Sequence, residues 1–356
     1  MEIVAVDLGY GYVKAMSSNG KQVLFPSIVG NGYERGLMDL FGDSSRDISN
    51  IHVKVQGEDY FVGDLAKESR SQSRIFERER FSHKYTHILL NVAIQLVTDE
   101  NTNAVQIVTG LPLDFYQSQA KDFQRSITGV QPELEWQSGP VSGHRKVVIE
   151  QGLVFPQGAA AIFAALMDDR GRPVYADFMR EGSIIGLIDV GFRTTDFVVV
   201  EMKQGGSFVP KTKLSGTVDE GVINLYREVR QAYKTKTGGA DLSESYVDRI
   251  LRDKELTYRG DKIDFSQVIG RSLQAITANI VDRLKSVWAE ESDLFDGIFL
   301  AGGGGSLFAE HFQPAFDHRL KTIPSSQFAN AIGYSRLGKA IFQSESTDSD
   351  SVTKHG

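Results

Sequence analysis

Two apolar runs, each ending in an acid and turning through a glycine, organise the hydrophobic and polar positions of this chain. Ile3–Met16 reads IVAVDLGYGYVKAM and Gly186–Glu201 reads GLIDVGFRTTDFVVVE. One template fits both: an apolar run, Asp, one residue, Gly, an aromatic, then a second apolar run. Asp7 falls on Asp189, Gly9 on Gly191, Tyr10 on Phe192, and Lys14 on Asp196. Continuous apolar runs such as Ile3–Val6 and Ile184–Ile188 suit strands buried on both faces. Each copy therefore predicts a strand, a tight turn and a second strand, and the repetition predicts two related half-molecules.

The rest of the pattern fills in around these copies. Gln22–Phe25 reads as a third strand after the turn Ser18-Asn19-Gly20. From Gly30 to Arg80 the chain is polar and Gly-rich, with one hairpin, His52–Val55 and Tyr60–Val62 about the turn at Gln56–Asp59. Residues 28–84 are read as a small inserted subdomain. Within them Ser69–Phe81 mixes basic and acidic residues, as a solvated face or an inter-subunit contact would. Ile88, Leu89, Val92 and Leu96 give Tyr85–Val97 a helical stripe. Ala104–Thr109 and Val147–Val154 are apolar strands, and PQGAAAIFAALM, Pro156–Met167, is an alanine-rich helix. After the second hairpin come a helix at Val222–Tyr233, a polar insertion at Thr237–Phe265 and a helix at Ser272–Trp288 with a single apolar stripe. GIFLAGGGGS then joins a strand, Gly297–Leu300, to a helix starting near Ser306. The closing helix, Gln327–Phe342, is expected to pack back on the first domain. From Ser344 onward the chain is poor in apolar residues and is expected to be disordered.

Composition narrows the classes. With 356 residues, 41% hydrophobic, the chain has enough material for two domains with sizeable cores. The net charge of −7 supplies no global basic field for nucleic acid or an anionic membrane, so neither is an expected partner. There are no cysteines, which excludes disulfides and thiolate zinc sites and fits a reducing compartment. The N-terminus lacks a basic segment before its apolar run, unlike a signal peptide. No apolar run approaches the roughly 20 residues that span a bilayer. A soluble, cytoplasmic protein is the expectation.

The hairpins also carry the candidate chemistry. Glycine lets backbone N–H groups close on a phosphate without a Cβ in the way. The preceding Asp points a carboxylate into the same space, where Mg²⁺, a hard cation that keeps several waters, would sit between protein and phosphates. Each hairpin is thus a candidate phosphate clamp, or simply a tight hairpin turn. The run Gly302–Gly305 lets a flat ring and a sugar lie against bare backbone, with the following helix offering its N-terminal N–H groups, or it is a flexible loop.

The order of these motifs resembles the ATPase core shared by actin, heat-shock chaperones and sugar kinases, over nearly the whole chain. DLGYGYVK, FPS at Pro26, VFPQGAAA, IDVGFRTTD and SQFANAIGY are most similar to prokaryotic actin-like proteins of the ParM and StbA plasmid-segregation type, with an archaeal actin-like branch comparably close. The resemblance implies an α/β, actin-like ATPase fold: two duplicated ribonuclease-H-like domains flanking a nucleotide cleft. Residues 1–156 with 323–343 would form one domain and 157–322 the other, each with a small inserted subdomain, at about 28–84 and 237–268, followed by the tail 344–356.

The resemblance also implies roles. Asp7 and Asp189 would hold the nucleotide's Mg²⁺, largely through water. Gly9, Tyr10, Gly11 and Lys14 match the first phosphate hairpin, with Lys14 at the β- and γ-phosphates. Gly191, Phe192, Arg193 and Thr194 match the second, although GFRTTD lacks the second glycine that many relatives carry; Arg193 is otherwise a surface hairpin charge. Gly302, Gly303 and Gly304 match the adenosine loop, and Glu220 is placed near the ribose. Gln157, with Asp189 beside it, stands where relatives orient the attacking water; its alternative is a polar residue at a helix start with no role. A neutral amide positions water but is a poor base, so hydrolysis of ATP, or GTP, is expected to be slow. The implied function is a homopolymeric filament that moves plasmid DNA through a DNA-binding adaptor protein. The alternative is a non-polymerising relative, a small-molecule kinase or a regulatory ATPase. Neither terminus is an amphipathic membrane-insertion helix.

Overall fold

A computed structural model describes residues 1–32, 46–69, 71–74, 83–204 and 207–352. Its backbone contacts divide the chain into two units, Met1–Val174 with Phe328–Gly356, and Tyr175–Gln327.

The first unit is built on a mixed sheet. Its strand order runs Gln22–Pro26, Tyr12–Ser17, Glu2–Leu8, Ala104–Leu111, Val148–Pro156 and the short edge Gly129–Val130. Glu2–Leu8 is antiparallel to Tyr12–Ser17 and parallel to Ala104–Leu111. It is buried on both faces, which is why it reads as an unbroken apolar run. Val4, Val6 and Leu8 pack with the helix Lys84–Val97, through Ile88, Leu89 and Val92. Ile3 and Ala5 face the other way, with Val108, Ala160, Tyr334 and Phe342. Asp7 continues that second series along the strand.

A second, antiparallel sheet in this unit has five strands, ordered Gly143–Arg145, Leu134–Ser138, Ile51–Val55, Glu58–Val62 and Val29–Asn31. It contains the hairpin expected about Gln56-Gly57, both of which adopt positive φ. The mixed-charge stretch at 69–81 lies largely outside the described residues. The helix Leu113–Ile127 and the strands Leu134–Ser138 and Gly143–Arg145 have no counterpart in the sequence reading. That helix opens directly after Pro112, which resembles a loop signal, and Phe123 and Ile127 are its deeply buried apolar residues.

The second unit repeats the central hairpin. Ile184–Val190 is antiparallel to Thr195–Met202 and parallel to Gly297–Ala301, which is in turn parallel to Leu320–Thr322. The helices Val222–Thr237, Ser266–Trp288 and Gly305–Phe316 cover one face, contributing Leu225, Ile280, Trp288 and Phe308 to one core with Ile188 and Val190. The polar insertion expected at Thr237–Phe265 has its own structure: a helix, Glu244–Asp253, and a hairpin of Glu255–Tyr258 with Asp261–Asp264.

Three boundaries differ from the reading, the first being that the C-terminal segment rejoins the first unit at Phe328 rather than at residue 323. The division falls at Tyr175 rather than at Gln157, because the helix Ala159–Leu166 packs on the C-terminal helix Ala329–Val352, both within the first unit. A β-carbon on Gly333 would lie 1.9 Å from the carbonyl oxygen of Ala160, so the two helices meet backbone to backbone. Arg336 locks the contact by donating to the carbonyls of Ala164 and Met167, at 2.6 and 2.5 Å, and pairing with Asp169 at 2.7 Å. The C-terminal helix also continues to Val352, past the order–disorder boundary expected at Ser344. No Gly or Pro interrupts the chain between Gly338 and Val352. Among the described residues no helix is long and apolar enough to cross a membrane.

Gly333 in this contact and Gly270 in the helix Ser266–Trp288 are opposite in character. Gly333→Ala should destabilise the protein by about 1–3 kcal/mol through overpacking. Gly270→Ala, in a helix and with no described atom beyond its own helix backbone and chain neighbours within 4 Å of the new methyl, should stabilise it by about 0.5–1 kcal/mol. Urea unfolding midpoints of the two variants would measure both signs.

Candidate functional site

In the first unit, the turn Gly9-Tyr10-Gly11 follows the buried strand Glu2–Leu8. Asp7, 3% exposed, is the cross-strand partner of Lys14. The Lys14 ammonium lies 3.1 Å from Asp7 Oδ2, and the Gln157 side-chain amide donates to Oδ1 at 3.2 Å. Both oxygens of a buried carboxylate are thereby engaged, as desolvation requires. Gln157 is placed by its own backbone, whose N–H donates to the Leu111 carbonyl at 2.8 Å. The next N–H, of Gly158, donates to Asn330 Oδ1 at 2.9 Å. The turn itself is braced from outside. Ser27 donates through its hydroxyl to the Gly9 carbonyl at 2.7 Å and through its N–H to the Gly11 carbonyl at 2.9 Å. The Arg74 guanidinium donates to the Gly11 carbonyl at 2.6 Å. With these carbonyls occupied behind the turn, its peptide planes are fixed.

The second unit reproduces the hairpin with different bracing. Asp189 is 8% exposed and opposes Asp196, as Asp7 opposes Lys14. The Thr217 hydroxyl donates to Asp196 Oδ1 at 2.7 Å. The turns correspond in detail: a β-carbon on Gly9 would meet the Tyr12 carbonyl oxygen at 2.8 Å, and one on Gly191 the Thr194 carbonyl oxygen at 2.8 Å. The Gly191 N–H donates to Thr194 O at 2.9 Å, closing the turn. The helix Val222–Thr237 then begins against it, with the N–H groups of Val222 and Ile223 donating to the carbonyls of Gly191 and Phe192 at 3.2 and 2.7 Å. The Phe192 ring packs edge-on against Tyr226, so this residue anchors the turn to the helix. Arg193 pairs with the exposed Asp219 at 3.6 Å.

The glycine run meets this hairpin. Gly302 has φ +89°, and a β-carbon there would lie 2.3 Å from both Asp189 Oδ1 and the Val190 carbonyl oxygen. The Gly304 N–H donates to that same carbonyl at 2.9 Å. Gly303 is exposed, with only Gln327 near its missing side chain, at 3.8 Å. Glu220 precedes the helix Val222–Thr237. Its carbonyl accepts from the Thr195 hydroxyl at 2.9 Å, and its Oε1 from Asn279 Nδ2 at 3.3 Å. Its Oε2 is buried with no hydrogen-bond partner among the described residues.

The first unit holds Asp7, Gly9, Tyr10, Gly11, Lys14 and Gln157, although the reading placed Gln157 in the second domain beside Asp189, and the second unit holds Asp189, Gly191–Thr194, Gly302–Gly304 and Glu220. The sequence reading missed Arg74 and Asn279, which are brought in by long-range contacts and carry no local signal; Ser27 lay in the FPS motif at Pro26 but had no role assigned. Asn330 sat within the SQFANAIGY motif but had no assigned partner.

Duplicated sheets, each with an acid-ended strand turning through glycine, define the actin-like ATPase fold. The chain is similar to the actin-like proteins: residues 5–159 match the family model for the N-terminal domain of actin-like proteins, and residues 187–314 that for the C-terminal part of the archaeal, MreB-like actin homologues. An archaeal actin homologue of Thermoplasma volcanium is 23% identical over 347 residues, covering 94% of this chain and 98% of the relative. A 15-stranded ParM filament from Clostridium botulinum has a subunit 29% identical to this chain, with a TM-score of 0.84 and coverage of 96% and 99%. An archaeal actin homologue crystallised with ADP shares the fold at 20% identity, with a TM-score of 0.78 and coverage of 96% and 100%. Both branches anticipated from the motifs, ParM-type and archaeal, are therefore among the relatives.

The glycine run yields a structural contrast. Gly302→Ala should lower stability by about 1–3 kcal/mol, because the methyl collides with Asp189 and the backbone is left-handed. Gly303→Ala should remain within about 0.5 kcal/mol of the parent. Thermal unfolding of the two variants would test both.

Proposed function

We propose that this protein is a nucleotide-dependent, filament-forming actin homologue that binds and slowly hydrolyses ATP or GTP. The observation that carries the reading is its similarity, along almost the full length of both chains, to the subunit of a ParM filament. The ADP complex of the archaeal homologue supports nucleotide binding. The glycine turns and Lys14 would hold phosphates, the backbone at Gly302–Gly304 the adenosine or guanosine, and the unpaired Oε2 of Glu220 would accept a hydrogen bond from a ribose hydroxyl.

Mg²⁺ fits the residues present. Asp7 and Asp189, each considered within its own unit, would offer hard oxygen donors beside the turns proposed to hold phosphates. Among the described residues no three His, Cys, Asp or Glu cluster as a metal cage. One or two carboxylates plus phosphate oxygens is the coordination Mg²⁺ favours. When bound, the ion would neutralise phosphate charge. Gln157, held at the edge of Asp7, would orient the attacking water through its amide, and being neutral it would not remove the water's proton. Slow hydrolysis then suits a timer, with triphosphate favouring head-to-tail assembly and hydrolysis loosening it. A heterologous contact that does not close generates an open helix. Plasmid segregation through a DNA-binding adaptor, in the cytoplasm, is the proposed role.

The deciding measurement is 90° light scattering with Mg²⁺ and ATP, GTP or ADP, with negative-stain microscopy of the same samples. Scattering should rise with triphosphate and decay as phosphate is released. Absence of a rise at high protein concentration, despite nucleotide binding, would move the weight to a small-molecule kinase or regulatory ATPase. Gln157→Ala should slow phosphate release by roughly ten- to a hundred-fold and lengthen the polymer phase correspondingly.

A further inference from the structure

Both braces of the first turn come from one place in the fold. Ser27 lies just before the edge strand Val29–Asn31, which pairs with Glu58–Val62 in the five-stranded sheet. Val29 also forms an antiparallel bridge with Ser73. Its N–H donates to the Ser73 carbonyl at 3.1 Å, and its carbonyl accepts from the Ser73 N–H at 2.9 Å. A second tie joins the same segments, the Asn31 N–H donating to Ser71 Oγ at 3.1 Å. The bridge brings Arg74, the residue after Ser73, to the same turn as Ser27, and both reach the Gly11 carbonyl.

Arg74 Nη1 carries two hydrogens and donates to two consecutive carbonyls, of Gly11 at 2.6 Å and of Tyr10 at 3.3 Å. The Ser27 hydroxyl holds the carbonyl before them, that of Gly9. Three successive carbonyls of the turn are thus drawn to Ser27 and Arg74. A trans peptide sets its N–H opposite its C=O, so the N–H groups of Tyr10, Gly11 and Tyr12 are turned away from the brace. Successive backbone N–H groups presented in this way make an anion-binding concavity. The brace therefore decides where the donors of the turn point, although it lies in another part of the sequence.

We propose that Arg74 is a positioning residue for phosphate: by holding the Tyr10 and Gly11 carbonyls it aims the N–H groups of the turn, and through Ser73 and Val29 it couples occupancy of the turn to the edge of the five-stranded sheet. The proposal rests on the nucleotide reading above and adds a residue and a coupling to it. Its test compares ADP, which does not favour assembly under that reading, with adenosine, which lacks the phosphates. Both are measured with Mg²⁺ on the full-length protein by competition against a fluorescent ADP analogue. Arg74→Met keeps the apolar stem and removes the donors, whereas Arg74→Lys returns an ammonium with three. Arg74→Met should weaken ADP by about tenfold or more, as loss of charge-assisted hydrogen bonds warrants, and leave adenosine within about twofold of the parent. Arg74→Lys should recover most of that loss. In the parent, saturation with ADP should slow hydrogen exchange at the Val29 and Ser73 amides by about threefold or more. Unchanged ADP affinity in Arg74→Met would overturn the proposal, as would ADP and adenosine weakened in equal proportion, the mark of a packing role. Unchanged exchange at both amides in the ADP-saturated parent would also overturn it, and that result is read without a variant, so the test stands even where Arg74→Met fails to fold. A parent that binds no nucleotide fails the nucleotide reading and the proposal with it; a parent that binds ADP while these differences are missing fails the proposal alone.

Discussion

A carboxylate buried at the end of a parallel strand is the constraint from which the first unit's site follows. Asp7 is 3% exposed, and an ionised group there is tolerated only when both oxygens are engaged. The hairpin supplies one partner by register, Lys14 opposite Asp7. The neighbouring strands supply the other: Gln157 follows the strand Val148–Pro156 and is pinned by the Leu111 carbonyl. The same pinning positions Gly158 for Asn330, and so ties the start of the helix Ala159–Leu166 to the C-terminal helix. One buried charge therefore connects hairpin, central sheet and closing helix.

The second unit meets a similar demand differently. An acid, Asp196, stands opposite Asp189, so no cross-strand ion pair forms, and Thr217 takes up Asp196. Space around Asp189 is kept by the missing side chain of Gly302. The turn is fixed by helix N–H groups donating to its carbonyls, where the first turn relies on Ser27 and Arg74. The duplicated hairpins share a backbone shape while their supporting side chains have diverged. This fits one copy specialised for charge, through Lys14, and the other for close backbone approach.

The pattern of apolar positions by itself determined both hairpins and most of the long helices. Those signals are local: a strand buried on both faces reads as a continuous run, and a tight reversal requires glycine. Asp7, Gly9, Lys14, Asp189, Gly191 and the run from Gly302 were legible for that reason, as was the resemblance to actin-like proteins. Tertiary structure alone decided where the units divide, because the helix Ala159–Leu166 is held by Gly333 and Arg336, more than 160 residues away in the chain. It also decided that the polar helix Leu113–Ile127 forms, that Ser27, Arg74, Asn279 and Asn330 brace the turns, and that Arg193 faces Asp219. Those contacts join residues with no common local pattern, and packing and the satisfaction of buried polar groups select them only once the chain has folded.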